Sequence, residues 1–145
     1  MMHKAGLIDA GGISDIHFQG LAETGRAKIE YVWDIDPANA ELAASRFDCQ
    51  TVESAQQLID RDIDIVVIST PAFARLEYVE LAAQAGKHIL VEKPLALNLD
   101  DAIAVPDAVG NLVALRSLFL SDNQLTTLPD TVSNLVALQQ LFLNN

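Results

Sequence analysis

The apolar residues of this chain concentrate in short runs, separated by amphipathic stretches and turn residues. The runs cover residues 5–8, 29–33, 63–69 and 89–91, with Glu30 and Asp64 inside the second and third. The continuous run 89–91 fits a strand of a parallel sheet buried on both faces. The third run is the strongest, because Ile65, Val66, Val67 and Ile68 are all β-branched. The fourth follows Gly86 and reads as an inner strand covered on both faces. Between the runs the spacing turns helical. After a tight turn at 9–14, a helix is expected with Ile13, Ile16, Leu21 and Ala22 on its buried side and Gly25 at its end. A second helix is expected over 37–46, with Asp36 as N-cap, Pro37 in its first turn, and Ala40, Leu42 and Ala43 facing the sheet. A short helix follows at 54–60 and a longer one at 75–84, stopped by Gly86. Asn98, with Asp101 three residues on, opens another. Strands alternating with helices at these lengths mean right-handed βαβ units, hence an α/β fold of Rossmann-like type: a parallel sheet with helices on both faces.

After residue 105 the text changes. The segment 106–115, Pro-Asp-Ala-Val-Gly-Asn-Leu-Val-Ala-Leu, returns 23 positions later as Pro-Asp-Thr-Val-Ser-Asn-Leu-Val-Ala-Leu, and Leu118-Phe119-Leu120 returns as Leu141-Phe142-Leu143. The spacing Leu115-x-x-Leu118-x-Leu120-x-x-Asn123-x-Leu125-x-x-Leu128 looks like a leucine-rich repeat. Its leucines would point into a solenoid core, and Asn123 would satisfy the turn backbone. The expected division is therefore an α/β domain over 1–105, incomplete at its C-terminal end, and a short incomplete leucine-rich-repeat segment over 106–145, with one full repeat and one partial. A single repeat cannot bury its apolar face, and about three are needed for stability. Leu141, Phe142 and Leu143 thus call for cover by the first domain or by a protein partner.

Composition narrows the partners. Half of the 145 residues are hydrophobic, enough for a real core. The formal net charge is −11, with 17 acidic and 8 basic residues before position 106. Such a chain repels phosphate backbones, so nucleic acid is not an expected partner. No apolar run approaches the roughly 18 residues that span a membrane, and no signal-peptide pattern precedes the first strand. The lone Cys49 reads as a small buried hydrophobe, and a reducing cytoplasm is expected. No His, Cys and carboxylate cluster has metal-ligand spacing. His17 and His88 read as packing residues, and Trp33 as part of the second strand.

The candidate chemistry sits at the carboxyl ends of the strands, where open α/β sheets bind ligands. The first strand–turn–helix carries an altered Gly-x-Gly-x-x-Gly dinucleotide fingerprint. Asp9 stands at the first glycine position, Gly11 at the second with Gly12 behind it, and Ser14 at the third. The backbone of Ala10, Gly11, Gly12 and Ile13 is the candidate pyrophosphate turn, aided by the helix N-terminus. Small Ser14 permits close helix–strand packing, whereas Asp9 crowds the turn and opposes an anion. Asp34 ends the second strand 22 residues after Gly12, near the ~20 expected of an acid that binds the adenosine ribose. An acid there favours NAD over NADP. Glu92 and Lys93 end the fourth strand, with Pro94 behind them.

These segments together, 6–14 with His17, 32–37, 63–71 and 86–95, resemble the glucose–fructose oxidoreductase / inositol dehydrogenase (Gfo/Idh/MocA) family over roughly residues 4–105. The Glu92-Lys93-Pro94 ending is the specific part. The resemblance implies an NAD(P)-binding domain in which the Thr70-Pro71 loop lines the nicotinamide side. It implies that Lys93 stabilises or relays the proton of a substrate hydroxyl, with Glu92 orienting or neutralising it. It also implies that Pro94 is often cis. Asp9 replaces a glycine of the pattern, Ala72 an asparagine and Arg75 a histidine. The family's second, substrate-binding domain does not follow in this sequence, so negligible turnover on sugars or polyols is expected of it. Two other readings stay open: a protein-interaction module built on the repeats, and a fragment or chimera without evolved function.

Overall fold

The computed structural model describes residues 2–94, 117–119, 130–136 and 138–142. The helix expected to open at Asn98, the role of Asn123 and Leu143 lie outside them. The chain divides into two compact units, one formed by residues up to Thr70 together with Lys87–Val91, the other by Pro71–Gly86 and the residues from Glu92 onward.

The first unit is a five-stranded, wholly parallel sheet. Its strands are β1 (His3–Ile8), β2 (Ala27–Trp33), β3 (Gln50–Thr51), β4 (Ile65–Ile68) and β5 (His88–Val91), in the order β3-β2-β1-β4-β5. The helices between them are α1 (Ser14–Glu23), α2 (Pro37–Phe47) and α3 (Ala55–Ile59). Because side chains alternate along a strand, β1 reads both faces of the sheet. Ala5 and Leu7 join Ile29, Val32 and Val67 in one cluster with Ala43 and Phe47 of α2, and Phe18 and Leu21 of α1 pack against it. Gly6 belongs to the opposite face, where a Cβ added to it would stand 2.4 Å from Leu58 Cδ2 of α3. Helices therefore cover both faces, and α3 closes on β1 because Gly6 has no side chain.

The caps follow local chemistry. The Asp36 side chain accepts from the Ala38 N–H at 3.0 Å, and Pro37 fills N1. Ser54 caps α3 through the Gln57 N–H at 3.0 Å. Gly25 and Gly86 end helices at φ 62° and 67°, the left-handed region where glycine is unstrained.

Three expectations are corrected. Ile13, Ile16 and Ala22 of the first helix and its approach are exposed; Ser14, Phe18 and Leu21, spaced i, i+4, i+7, make the inward face instead. Leu42 of α2 is exposed as well, and Phe47 at the end of the helix takes the buried place. Among the described residues β5 is a terminal strand, not an inner one, and Leu90 is 38 % exposed. Apolarity alone does not tell an edge strand from a central one.

In the second unit, a 3-10 turn (Ala72–Ala74) leads into α4 (Arg75–Gln84). Strands β6 (Ser117–Phe119) and β7 (Gln140–Phe142) pair in parallel, Ser117 with Gln140, Leu118 with Leu141 and Phe119 with Phe142. This is the 23-residue offset of the sequence repeat carried into a ladder. A 3-10 segment (Asp130–Asn134) precedes β7, held by the Ser133 hydroxyl on the Asp130 carbonyl at 2.6 Å, and Leu135 after it is buried. Among the described residues no helix is long and apolar enough to cross a membrane.

Candidate functional site

Register aligns the strand ends. Ile8 pairs with Trp33 on one side and Ile68 on the other, and Ile68 pairs with Val91. The Asp9 N–H donates to the Trp33 carbonyl at 2.9 Å, and the Ser69 N–H donates to the Ile8 carbonyl at 3.0 Å. Asp9, Asp34 and Ser69-Thr70 therefore leave the sheet at one carboxyl edge, the side on which such sheets bind ligands.

Asp34 ties two of these turns together. It is 7 % exposed. Its Oδ2 accepts from the Ala10 N–H at 2.8 Å and its Oδ1 from the Asp36 N–H at 2.8 Å. The carboxylate is thus held between the glycine turn after β1 and the start of α2. Each oxygen keeps a further lone pair. Beside it a cleft of about 640 Å³ is lined by Trp33, Asp34, Ile35, Glu41, Gln57 and Arg61, among others, a volume in the range of ligand pockets. The Arg61 guanidinium lies 5.2 Å from the Tyr31 ring centre. Ile35, Glu41, Gln57 and Arg61 were not singled out by sequence reasoning. Only Ile35, next to Asp34, carried a positional cue.

The turn itself is built as the fingerprint requires, with one exception. Ser14 is fully buried and its hydroxyl donates to the Gly11 carbonyl at 2.6 Å, so a serine does the close packing of the third glycine. Ile13 is the N-cap of α1 without a side-chain hydrogen bond. Asp15 in the first turn forms an ion pair with Arg46. Asp9 is the exception. It adopts φ 75°, where the fingerprint has a glycine. Its Oδ1 accepts from the Gly11 N–H at 2.8 Å and lies 2.9 Å from where a Gly11 Cβ would be. The crowding expected of Asp9 is therefore a direct contact of its carboxylate with Gly11.

The remaining candidates stand as follows. Thr70 is buried at the end of the first unit, and Pro71 opens the second. Glu92 and Lys93 follow β5 directly, with the Lys93 N–H on Glu92 Oε2 at 3.2 Å. The Lys93–Pro94 bond is cis. Arg75 is buried, and its guanidinium donates to the Pro94 carbonyl; a histidine at this position would lack that forked reach. Cys49 is half-buried, and burial pushes its thiol up to about 11. Among the described residues, no group of three or more His, Cys, Asp or Glu side chains converges as a metal site.

An oxidoreductase family model with an NAD-binding Rossmann fold, that of Gfo/Idh/MocA, matches residues 3–112. The chain belongs to the Gfo/Idh/MocA oxidoreductase family. Its first part is the NAD-binding Rossmann domain of that family, and a leucine-rich-repeat model matches residues 105–145. Glucose-6-phosphate 3-dehydrogenase of Bacillus subtilis is 34 % identical over 117 residues, covering 81 % of this chain and 33 % of that protein. Inositol 2-dehydrogenase of Rhizobium meliloti is 34 % identical over 102 residues, covering 69 % and 30 %. Among solved structures, a putative myo-inositol dehydrogenase of Sinorhizobium meliloti superposes with a TM-score of 0.71 at 31 % identity, over 77 % of this chain and 34 % of that one. The WlbA dehydrogenase of Bordetella pertussis, solved with NADH and UDP-GlcNAcA, gives 0.70 at 27 %, over 74 % and 32 %. The chain thus spans about a third of the length of the relatives it matches.

Proposed function

We propose that this chain binds NAD at the carboxyl edge of its parallel sheet and serves as the dinucleotide-holding part of a dehydrogenase for CH–OH groups of sugars or polyols. The observation that carries this reading is the Asp34 carboxylate held by the Ala10 N–H at 2.8 Å, since it joins the ribose acid to the pyrophosphate turn. In this reading the backbone of Ala10, Gly11, Gly12 and Ile13 and the start of α1 hold the pyrophosphate, and Asp34 binds the ribose diol and disfavours a 2′-phosphate. Thr70 and Pro71 line the nicotinamide side. The bound cofactor supplies the hydride acceptor. Lys93 stabilises the hydroxyl oxygen as its proton leaves, and Glu92 orients the ammonium. The adenosine half of the ligand fits the cleft beside Asp34, whereas the phosphate turn fits once the Asp9 side chain withdraws. Sugar and cyclitol substrates are suggested by the names of the relatives, and a cytoplasmic location by the single, unpaired cysteine. Titration with NADH, followed through Trp33 on the cleft wall, tests the reading. Saturable quenching is expected, weaker with NADPH and lost in Asp34→Ala. No response of the folded protein to millimolar NADH overturns it.

A second reading concerns the repeat part, which we assign to residues 106–145 beside a nucleotide domain over 1–105. The in-register pairing of β6 with β7 favours a solenoid surface that binds a protein partner. Sedimentation of the chain with and without residues 106–145 tests it. Concentration-dependent association that survives the deletion removes this role.

A further inference from the structure

We propose that Asp9 is an internal anion that competes with the dinucleotide for its own phosphate turn, and so sets how tightly, and which, nucleotides this chain holds. The inference rests on the NAD-binding reading and concerns the strength and selectivity of that same site.

Two distances from one oxygen place the carboxylate there. Asp9 Oδ1 accepts the Gly11 N–H at 2.8 Å, a donor that a pyrophosphate in such a turn would use. The same oxygen lies 2.9 Å from the Cβ position of Gly11. The second glycine of the fingerprint exists to leave that space bare, so that the ligand can come close to the backbone. Here an aspartate oxygen fills it. The surroundings supply a reason for it to stay. The N-cap Ile13 offers no side-chain acceptor to α1, and the acidic residue of the first turn, Asp15, is engaged by Arg46. The Asp9 carboxylate is bonded to the turn that leads into α1, on the side of the helix's positive end.

An incoming diphosphate meets both a taken donor and a like charge. The penalty falls on the phosphates, because the adenosine half, bound in the cleft around Asp34, brings no charge to the turn. Ligands should then be ranked by the charge they bring to the turn. Adenosine is untouched by Asp9, and ADP and NADH are opposed by it. The residue would make this chain a weak holder of dinucleotide that binds firmly only when the side chain swings out.

Calorimetric titration with adenosine, ADP and NADH tests this on the parent chain, Asp9→Gly and Asp9→Asn, with circular dichroism to verify folding. Glycine suits the φ of 75°, so the first variant removes the oxygen without straining the turn. The second removes the charge and keeps an acceptor. The expected result is a gain of at least about tenfold for NADH and ADP in Asp9→Gly, a smaller gain in Asp9→Asn, and adenosine unchanged. Affinities for NADH within twofold across all three proteins overturn the competition while leaving the NAD-binding reading intact. An equal gain for adenosine also overturns it, because Asp9 would then be acting on the fold of the turn. Folded parent and variants that all ignore NADH bring down the NAD-binding reading itself, and this inference with it.

Discussion

The buried carboxylate of Asp34 and the backbone N–H of Ala10, 24 residues apart in sequence, are joined by a 2.8 Å hydrogen bond. One side chain thereby does two tasks: it fixes the β1–α1 turn against the end of β2, and it presents an acid at the wall of the cleft. Both should fail together in Asp34→Ala. The Ala10 and Asp36 N–H groups lose their acceptor, at a cost of about 2 kcal/mol of stability. Urea unfolding should show a lower midpoint at unchanged slope. Asp34→Asn keeps one acceptor oxygen and should recover part of the stability but little of the NADH affinity.

Gly6 and Gly12 form a matched pair of controls. A methyl group at Gly6 meets Leu58 Cδ2 at 2.4 Å and Ile63 Cδ1 at 2.9 Å, and Leu58 is fully buried. Gly6→Ala should cost about 1–3 kcal/mol as α3 is pushed from the sheet. Nothing lies within 4 Å of a Cβ at Gly12, so Gly12→Ala should change the thermal midpoint little. Scanning calorimetry of the two variants measures the contrast.

Cys49 should be a slow thiol. Burial, the largest cause, raises its pKa to about 11, against a smaller opposing pull from Lys28. At pH 8 roughly one part in a thousand is thiolate, so alkylation by iodoacetamide should be slow in the native protein and fast in urea. The raised value also means that the folded thiol keeps its proton where the unfolded one has lost it. Its contribution to stability is full below the unfolded pKa near 9 and declines as pH rises towards 11.

Asp64 should shape the acid limb. The Lys4 N–H at 3.0 Å, and after it the His3 ring at 3.2 Å, hold its carboxyl below the ordinary aspartate value. Stability from this group is present above the unfolded pKa and is lost as pH falls through the lower folded value. Asp64→Asn should therefore flatten the decline of the unfolding midpoint between neutral and strongly acid pH. A parent and variant with parallel acid limbs would rule out the role.

What was legible in the sequence was local. Asp36-Pro37 announces a helix start because the cap and the fixed φ act within three residues, and α2 begins there. The span 75–84 agrees with α4 because Gly86 stops it. What was illegible depended on neighbours. Ile89-Leu90-Val91 has the text of a central strand, yet its place in the sheet is set by which strands pair with it. Gln50-Thr51 pairs with Tyr31 and Val32 without any apolar signal. Ile16 and Leu42 look like core residues until the turn preceding each helix sets its rotation. Asp9 was readable as a misfit, since its residue type alone conflicts with the fingerprint; that its oxygen settles on Gly11 required coordinates. Gly6 offered a cue, a bare residue inside an apolar strand, that marks a close approach.

The pairing of Ser117 with Gln140 makes the intervening length of chain a unit of measure. Growth of this tail by whole multiples of 23 residues would extend the ladder in step. A residue inserted within β7 itself, by contrast, would turn the later side chains of that strand to the other side of the ribbon. Whole repeats can thus be added where single residues inside a strand cannot.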